Sequence, residues 1–328
     1  MGFSRIAIIG DGGWGTTMAV ALAKKGHSVT IWSAFSEHAR EIDRIRENKR
    51  FLPGIKIPDA IKIKDDPRDL SRSDFHVLMV PCQYLRDTLK QFSGIIKGPV
   101  ISGIKGIENS SLKRPSEMIR EVFPDIPLTV LSGPTIAYEV ARGVPTAAVV
   151  GSKDDKLARN IQEVFSTDRF RLYLSEDIVG VEMGGALKNI IAIAAGISDG
   201  MGFGANTKAA LLTRGLVEIA RLGVAMGARK ETFNGLSGVG DLATTCMSSH
   251  SRNRWFGEEI GKGKLLQDVL GKTEMVVEGV ATAKSAYNLA QKYKVDMPIT
   301  AEIYKVLYEH KDPKIAVREL MTRTPKKE

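Results

Sequence analysis

A short apolar run leads straight into a cluster of glycines. Residues 5–9, Arg-Ile-Ala-Ile-Ile, are followed by Gly10-Asp11-Gly12-Gly13-Trp14-Gly15, which has the spacing G-x-G-x-x-G. An amphipathic stretch over residues 16–25 comes next, and a second apolar run, 28–32, completes the unit. Strand, glycine turn, helix and strand in that order turn an otherwise weak pattern into a dinucleotide-binding signature. Gly10 permits the tight turn, Gly12 lets backbone approach a pyrophosphate, and Gly15 lets helix and strand pack closely. The helix start then offers free N–H groups and a positive dipole end to phosphates.

The first half of the chain continues in the same manner. Runs at 61–63, 76–80, 100–102, 129–131 and 147–150 read as further strands, rich in Ile and Val and bounded by Gly, Pro or Asp. Helical patterns at 37–46 and 83–92 lie between them, which implies a mostly parallel sheet covered on both faces. From about Asp177 onward the pattern changes to long helices, at 177–197, 207–226, 253–261 and 282–293. A chain of 328 residues accommodates two domains. The expected fold is therefore α/β: an N-terminal Rossmann-type dinucleotide-binding domain, residues 1–176, and a C-terminal all-α domain, residues 177–328.

Composition excludes several function classes. Hydrophobic residues at 43% and charged residues at 26% speak against a disordered chain. The longest apolar stretch, 189–197, falls short of the roughly 18 residues a membrane span needs, so no stable membrane insertion is expected. The apolar run at 5–9 is too short for a signal peptide. Met1-Gly2 begins like an acylation site, but Ile6 stands where Ser or Thr is required. A cytoplasmic location is expected. Cys82 and Cys246 have no Cys or His at metal-ligand spacing, so no metal is expected. The net charge is +9, but Lys and Arg are scattered, and Lys326-Lys327 in the polar tail is the nearest thing to a basic run. No aromatic-interleaved basic segment is present, which argues against nucleic acid and leaves a small anionic substrate as the partner.

Three later segments carry chemistry. In Val181-Glu-Met-Gly-Gly-Ala-Leu-Lys188-Asn-Ile190, helical spacing puts Gly184, Gly185, Lys188, Ala192 and Ala195 on one face. That face leaves room beside Lys188 for a ligand or for another backbone. A lysine in a partly dry pocket can donate a proton to a carbonyl substrate; the alternative is helix packing with Lys188 reaching out to solvent. Gly235-Leu-Ser-Gly-Val-Gly-Asp241 is either an interhelical loop or the source of a carboxylate that holds a buried lysine. Ser248-Ser-His-Ser251-Arg252-Asn253-Arg254 precedes a helix. It either binds phosphate through hydroxyl, guanidinium and free N–H groups or is an N-cap at Ser251 with solvated arginines.

An NAD-specific site has Asp or Glu at the end of its second strand. Ile31-Trp32-Ser33-Ala34 has neither, and the nearest acid that follows is Glu37. The expected cofactor is NADP or NAD, with a mild NADP preference.

Taken in order, these segments resemble the bacterial NAD(P)-dependent glycerol-3-phosphate dehydrogenases over about residues 5–317. The carriers are Gly10-Asp-Gly-Gly-Trp-Gly-Thr16, Asn48-Lys-Arg-Phe-Leu-Pro-Gly54, Ile104-Lys-Gly-Ile-Glu108, Leu131-Ser-Gly-Pro134, Glu182-Met-Gly-Gly-Ala-Leu-Lys-Asn189, Gly238-Val-Gly-Asp-Leu242, Ser251-Arg-Asn253 and Val277-Glu-Gly279. The resemblance implies reversible reduction of dihydroxyacetone phosphate to sn-glycerol 3-phosphate for glycerophospholipid synthesis. It implies that Lys188 is the proton donor and acceptor, that Asp241 is an acid beside it, and that Lys105 lies near both substrate and nicotinamide. Gly133, Thr135, Ser251, Arg252 and Asn253 match the substrate pocket. Gly13, Trp14, Ala137, Arg252, Val276 and Glu278 match cofactor contacts. Ala34 and Phe51 stand at cofactor positions where the family often carries Arg or His and Tyr. A homodimer is left open. The rival readings are a ketopantoate or hydroxyacid reductase of the same plan, a catalytically inert dinucleotide sensor, and a basic nucleic-acid binder.

Overall fold

The computed structural model describes residues 3–273, 275–325 and 327. Met1, Gly2 and Lys326, considered above, lie outside the described residues. Eight strands form one sheet: β1 (Arg5–Ile9), β2 (Ser28–Trp32), β3 (Lys62–Lys64), β4 (Phe75–Leu78), β5 (Val100–Ser102), β6 (Leu128–Ser132), β7 (Thr146–Gly151) and β8 (Phe170–Ser175), in the order β3-β2-β1-β4-β5-β6-β7-β8. Every neighbouring pair is parallel except β6–β7. The central strands are buried at nearly every position, as a sheet covered on both faces requires. The chain winds outward from β1 in both directions, so β1 and β4 flank a topological switch point. Ligands of such sheets bind beyond the strand carboxyl ends there.

All seven expected strands are present, with ends shifted by a residue or two. The eighth, β8, was not expected. Its alternation is plain, with Phe170 and Leu172 buried and Arg171 and Tyr173 exposed. It is the outer strand, and one solvated face gives the period-2 signal rather than an apolar run.

The helical domain is built around the Ile178–Gly200 helix, which is 23 residues long. By length and apolarity alone it could span a membrane, which corrects the expectation that no segment is long enough. However, 94% of its most apolar window is buried inside the protein, so it is the core helix. Its small residues are explained by close packing. A Cβ on Gly196 would stand 1.9 Å from the Arg254 carbonyl oxygen, and one on Gly257 would stand 2.1 Å from the Ile193 carbonyl oxygen. The Ile178–Gly200 and Arg252–Gly261 helices therefore meet backbone to backbone, which only glycine allows.

This helix is capped at its start and tied to the sheet domain one turn later. The Asp177 side chain caps it by accepting the Gly180 N–H at 2.9 Å. One turn later Glu182 accepts the Ser116 N–H at 2.8 Å and the Ser116 hydroxyl at 2.6 Å, with Arg114 beside it. Burial pushes the Glu182 carboxyl up, opposed by Arg114.

Candidate active site

Lys188 does not reach solvent. Its side chain is 8% exposed, and its ammonium donates to Asp241 Oδ1 and, at 2.6 Å, to the Thr245 hydroxyl. Asp241 begins the Asp241–Met247 helix after a π turn at Leu236–Gly240, and it is 1% exposed. Gly184 permits this approach: a Cβ there would stand 2.3 Å from the Ser237 carbonyl oxygen. The small-residue face therefore packs against another backbone, and Lys188 on it stays buried instead of reaching solvent. The glycines admit the Leu236–Gly240 turn, and the turn delivers a carboxylate to the lysine.

Lys105 reaches the other oxygen of the same carboxylate. Its ammonium lies 2.7 Å from Asp241 Oδ2, 2.9 Å from the Gly133 carbonyl oxygen and 3.2 Å from Thr135 Oγ1. Gly133 turns the chain directly after β6 at φ +144°, where a Cβ would collide with Ala148. The sheet domain thereby contributes Lys105, Gly133 and Thr135 to a cluster whose acid and second lysine come from the helical domain. Burial lowers the Lys188 ammonium to about 8; Asp241 resists the shift and Lys105 adds to it.

The glycine loop has the form expected of it. The Gly13–Lys24 helix begins without any side-chain cap. A Cβ on Gly15 would stand 2.1 Å from the Gly10 carbonyl oxygen, which is the close helix–strand approach, and one on Gly10 would meet Met79 backbone at 2.8 Å. A Cβ on Gly12 would meet nothing within 4 Å. The space in front of Gly12 is an open cradle beside free N–H groups, the shape a pyrophosphate needs.

The remaining sequence-derived residues divide into two groups. Around the loop, Trp14 packs edge-on against Phe170, and Thr17 Oγ1 donates to the Ala137 carbonyl at 3.0 Å. The Phe51 carbonyl oxygen would lie 2.7 Å from a Cβ on Gly13, and Ala34 is exposed just past β2. Arg252 is solvent-accessible, and its guanidinium would lie 3.6 Å from a Cβ on Gly13. Although the side chain reaches solvent, the protein packed around its base desolvates it enough to lower its pKa, against the pull of Glu278. Glu278 accepts the Cys82 N–H at 3.1 Å, but its other oxygen is buried without a partner. Burial pushes this carboxyl up to about 7. Val276 is 37% exposed.

The second group is engaged in holding helices. Ser251 Oγ accepts the Arg254 N–H at 3.3 Å, so Ser251 is an N-cap. Arg254 is partly buried and pairs with Asp199 at 2.7 Å. The Asn253 amide donates to Asn189 Oδ1 and accepts from the Gly279 N–H, both at 2.9 Å, tying three helices together. Among the described residues no cluster of His, Cys, Asp or Glu could hold a metal.

Sequence reasoning missed Thr245 and Asp11. Thr245 lies four residues after Asp241 on one helix, and that spacing was the available signal. Asp11 had no local signal: its carboxylate meets Ser33 across the loop, accepting the Ser33 hydroxyl at 2.6 Å.

Comparison with known proteins points to one family. Residues 5–158 match the model of the NAD-dependent glycerol-3-phosphate dehydrogenase N-terminus, and residues 177–318 match that of its C-terminus. A protein of Chlorobium phaeobacteroides (strain BS1), named glycerol-3-phosphate dehydrogenase, NAD(P)+, is 48% identical, with 99% of each chain covered. One of the same name from Citrifermentans bemidjiense is 49% identical, covering 99% of this chain and 98% of its own. The crystal structure of a glycerol-3-phosphate dehydrogenase from Coxiella burnetii superposes with a TM-score of 0.95 at 36% identity, over 98% of this chain and 99% of that one. A ketopantoate reductase from Ralstonia eutropha superposes with a TM-score of 0.63 at 12% identity, over 95% of this chain and 99% of that one, a likeness of fold alone.

Proposed function

The chain belongs to the NAD-dependent glycerol-3-phosphate dehydrogenase family, and on that premise we infer how its own residues carry the reaction. It is an oxidoreductase that interconverts dihydroxyacetone phosphate and sn-glycerol 3-phosphate with NAD or NADP. The division of labour follows 1–176 as the dinucleotide-binding domain and 177–328 as the substrate and catalytic domain. The observation that carries the reading is the pair of lysines on Asp241, one from each domain, beside the open glycine loop.

The site fits a dinucleotide on three counts: the empty cradle at Gly12, the uncapped helix start, and the unpartnered oxygen of Glu278. When bound in its reduced form, that cofactor supplies the hydride. Gly10, Gly12, Gly13, Trp14 and Gly15 hold its phosphates through backbone, with Ala34, Phe51, Ala137, Val276 and Glu278 around it. Lys188 gives its proton to the substrate carbonyl oxygen in reduction and takes it back in oxidation. A pKa near 8 leaves both protonation states accessible near neutrality, as general acid–base work requires. Lys105, anchored by the Gly133 carbonyl, places a second positive charge where the alkoxide develops, and that interaction is strongest in the transition state. Asp241 keeps the two ammonium groups together in a site where their repulsion would otherwise separate them. Gly133, Thr135, Ser251 and Asn253 shape the substrate pocket. Arg252 lies between the glycine loop and the start of its own helix, where it serves the phosphates of both ligands. Remote phosphate binding holds the reacting carbon in position. The partner is a small phosphorylated substrate, and the reaction serves glycerophospholipid synthesis in the cytoplasm.

The test is a set of initial rates with dihydroxyacetone phosphate and each reduced cofactor, run beside ketopantoate. Turnover of the first and none of the second is expected. Oxidation of the cofactor by ketopantoate alone would overturn the assignment.

A further inference from the structure

β2 ends without an acid, but the fold supplies one. Ser33 is the first residue past β2, the place where an acid reads the ribose diol in NAD-specific sites. Its hydroxyl donates to Asp11 Oδ2 at 2.6 Å. The backbone of Asp11 is also pinned, because its carbonyl accepts from Asn48 Nδ2 at 2.6 Å and from Thr16 Oγ1 at 3.2 Å. Asp11 is therefore held through its carboxylate by Ser33 and through its backbone by Asn48 and Thr16, within the loop that carries Gly12.

The other wall is His38. It is 7% exposed, and its Nε2 lies 3.6 Å from Asp11 Oδ2, too far for a hydrogen bond, and has no other partner. Its ring stands edge-on to Phe51 at 5.4 Å, and its Nδ1 faces Glu41 at 3.9 Å. His38 thus closes one side of the Asp11 carboxylate, and its buried Nε2 is left without a hydrogen-bond partner.

Building on the dehydrogenase reading, we propose that Asp11 is a cofactor-specificity residue. It provides from the glycine loop the ribose-binding carboxylate that β2 lacks, and it selects a dinucleotide with a free 2′-hydroxyl over one with a 2′-phosphate. The carboxylate accepts from the hydroxyl and repels the phosphate, a like charge at the same point. This reverses the mild NADP preference that the strand end alone suggests.

The experiment is a direct binding titration, by ligand fluorescence, of NADH, NADPH and the 2′-deoxy analogue of NADH to the parent protein and to Asp11→Asn. An amide oxygen still accepts from Ser33, so the variant should melt as the parent does. The parent should bind NADH more tightly than NADPH. Asp11→Asn should lose about ten- to a hundred-fold in NADH affinity, the range of a hydrogen bond to a charged group, and should bind NADPH more tightly than the parent. The 2′-deoxy analogue should bind parent and variant alike, which a merely structural role for Asp11 would not produce. Equal affinities for NADH and NADPH in the parent, unchanged in Asp11→Asn, would overturn this proposal while leaving the dehydrogenase reading intact. Failure of the parent to bind any of the three would overturn both.

Discussion

Lys105 and Lys188 hold the two oxygens of a single carboxylate, although one lysine follows β5 of the sheet and the other lies in the core helix of the second domain. Asp241, between them, is 1% exposed. Two ammonium groups this close would repel strongly without the shared acid, and burial of Lys188 makes its proton easier to release.

Lys188→Ala should leave dinucleotide binding nearly intact and lower single-turnover hydride transfer by about 10²–10⁴-fold, the usual contribution of a positioned general acid. Lys188→Arg should not restore activity, because guanidinium keeps its proton and is too broad for the gap between Asp241 and Thr245. A folded Lys188→Ala enzyme keeping more than about a tenth of the parent rate would move the proton donor elsewhere, with Lys105 next in line.

The direction of pH dependence follows from the Lys188 value of about 8. Reduction of dihydroxyacetone phosphate needs the ammonium, so its kcat should fall as pH rises through about 8. Oxidation of glycerol 3-phosphate needs the free amine and should rise through the same range. Asp241→Asn removes the group that resists the shift, so both profiles should move to lower pH. Profiles that stay in place in this variant would show that another group is being titrated.

Gly12→Val and Gly15→Ala should fail in different ways. A side chain at Gly12 meets only open space, so the variant should fold and lose dinucleotide binding. A side chain at Gly15 meets the Gly10 carbonyl oxygen, so that variant should lose stability first. Melting temperature and NADH titration, measured on both proteins, separate the two outcomes.

Gly196→Ala inverts an ordinary expectation. Helix propensity alone favours the change by roughly 1 kcal/mol. The Arg254 carbonyl oxygen stands where the new Cβ would go, and overpacking of this kind costs typically 1–3 kcal/mol or more. Urea unfolding should show a destabilised variant, and a stabilised one would mean that the two helices do not meet as described.

Arg252→Ala should weaken both ligands, because its guanidinium lies beside Gly13 rather than in the substrate pocket alone. The KM for dihydroxyacetone phosphate and the Kd for the dinucleotide should each rise, by about ten- to a hundred-fold for a lost charge-assisted bond. A KM change with an unaltered dinucleotide Kd would confine Arg252 to the substrate.

The glycine loop and the helices flanking Lys188 were legible because their signals are local. G-x-G-x-x-G between two apolar runs, and the switch from period 2 to period 3.6 near Asp177, involve residues within a few turns of one another. β8 carried an equally local alternation and was passed over, since its exposed Arg171 and Tyr173 break the apolar run that marks the buried strands. The family motifs placed Lys188, Lys105 and Asp241 together in one site, but not which oxygen each lysine takes. Thr245 lay outside the motifs, and Asp11 stood at an unspecified position within the glycine loop.

By itself the sequence determined the order of elements, the dinucleotide loop and the residue types available for proton transfer, because backbone preference and amphipathic period depend on near neighbours. The charge state of Lys188, the pairing of Lys105 with an acid 136 residues away and the transfer of Asp11 to the end of β2 were decided only by tertiary structure. These properties depend on which distant groups exclude water and which stand within hydrogen-bond reach, and only the packing of one domain against the other sets that.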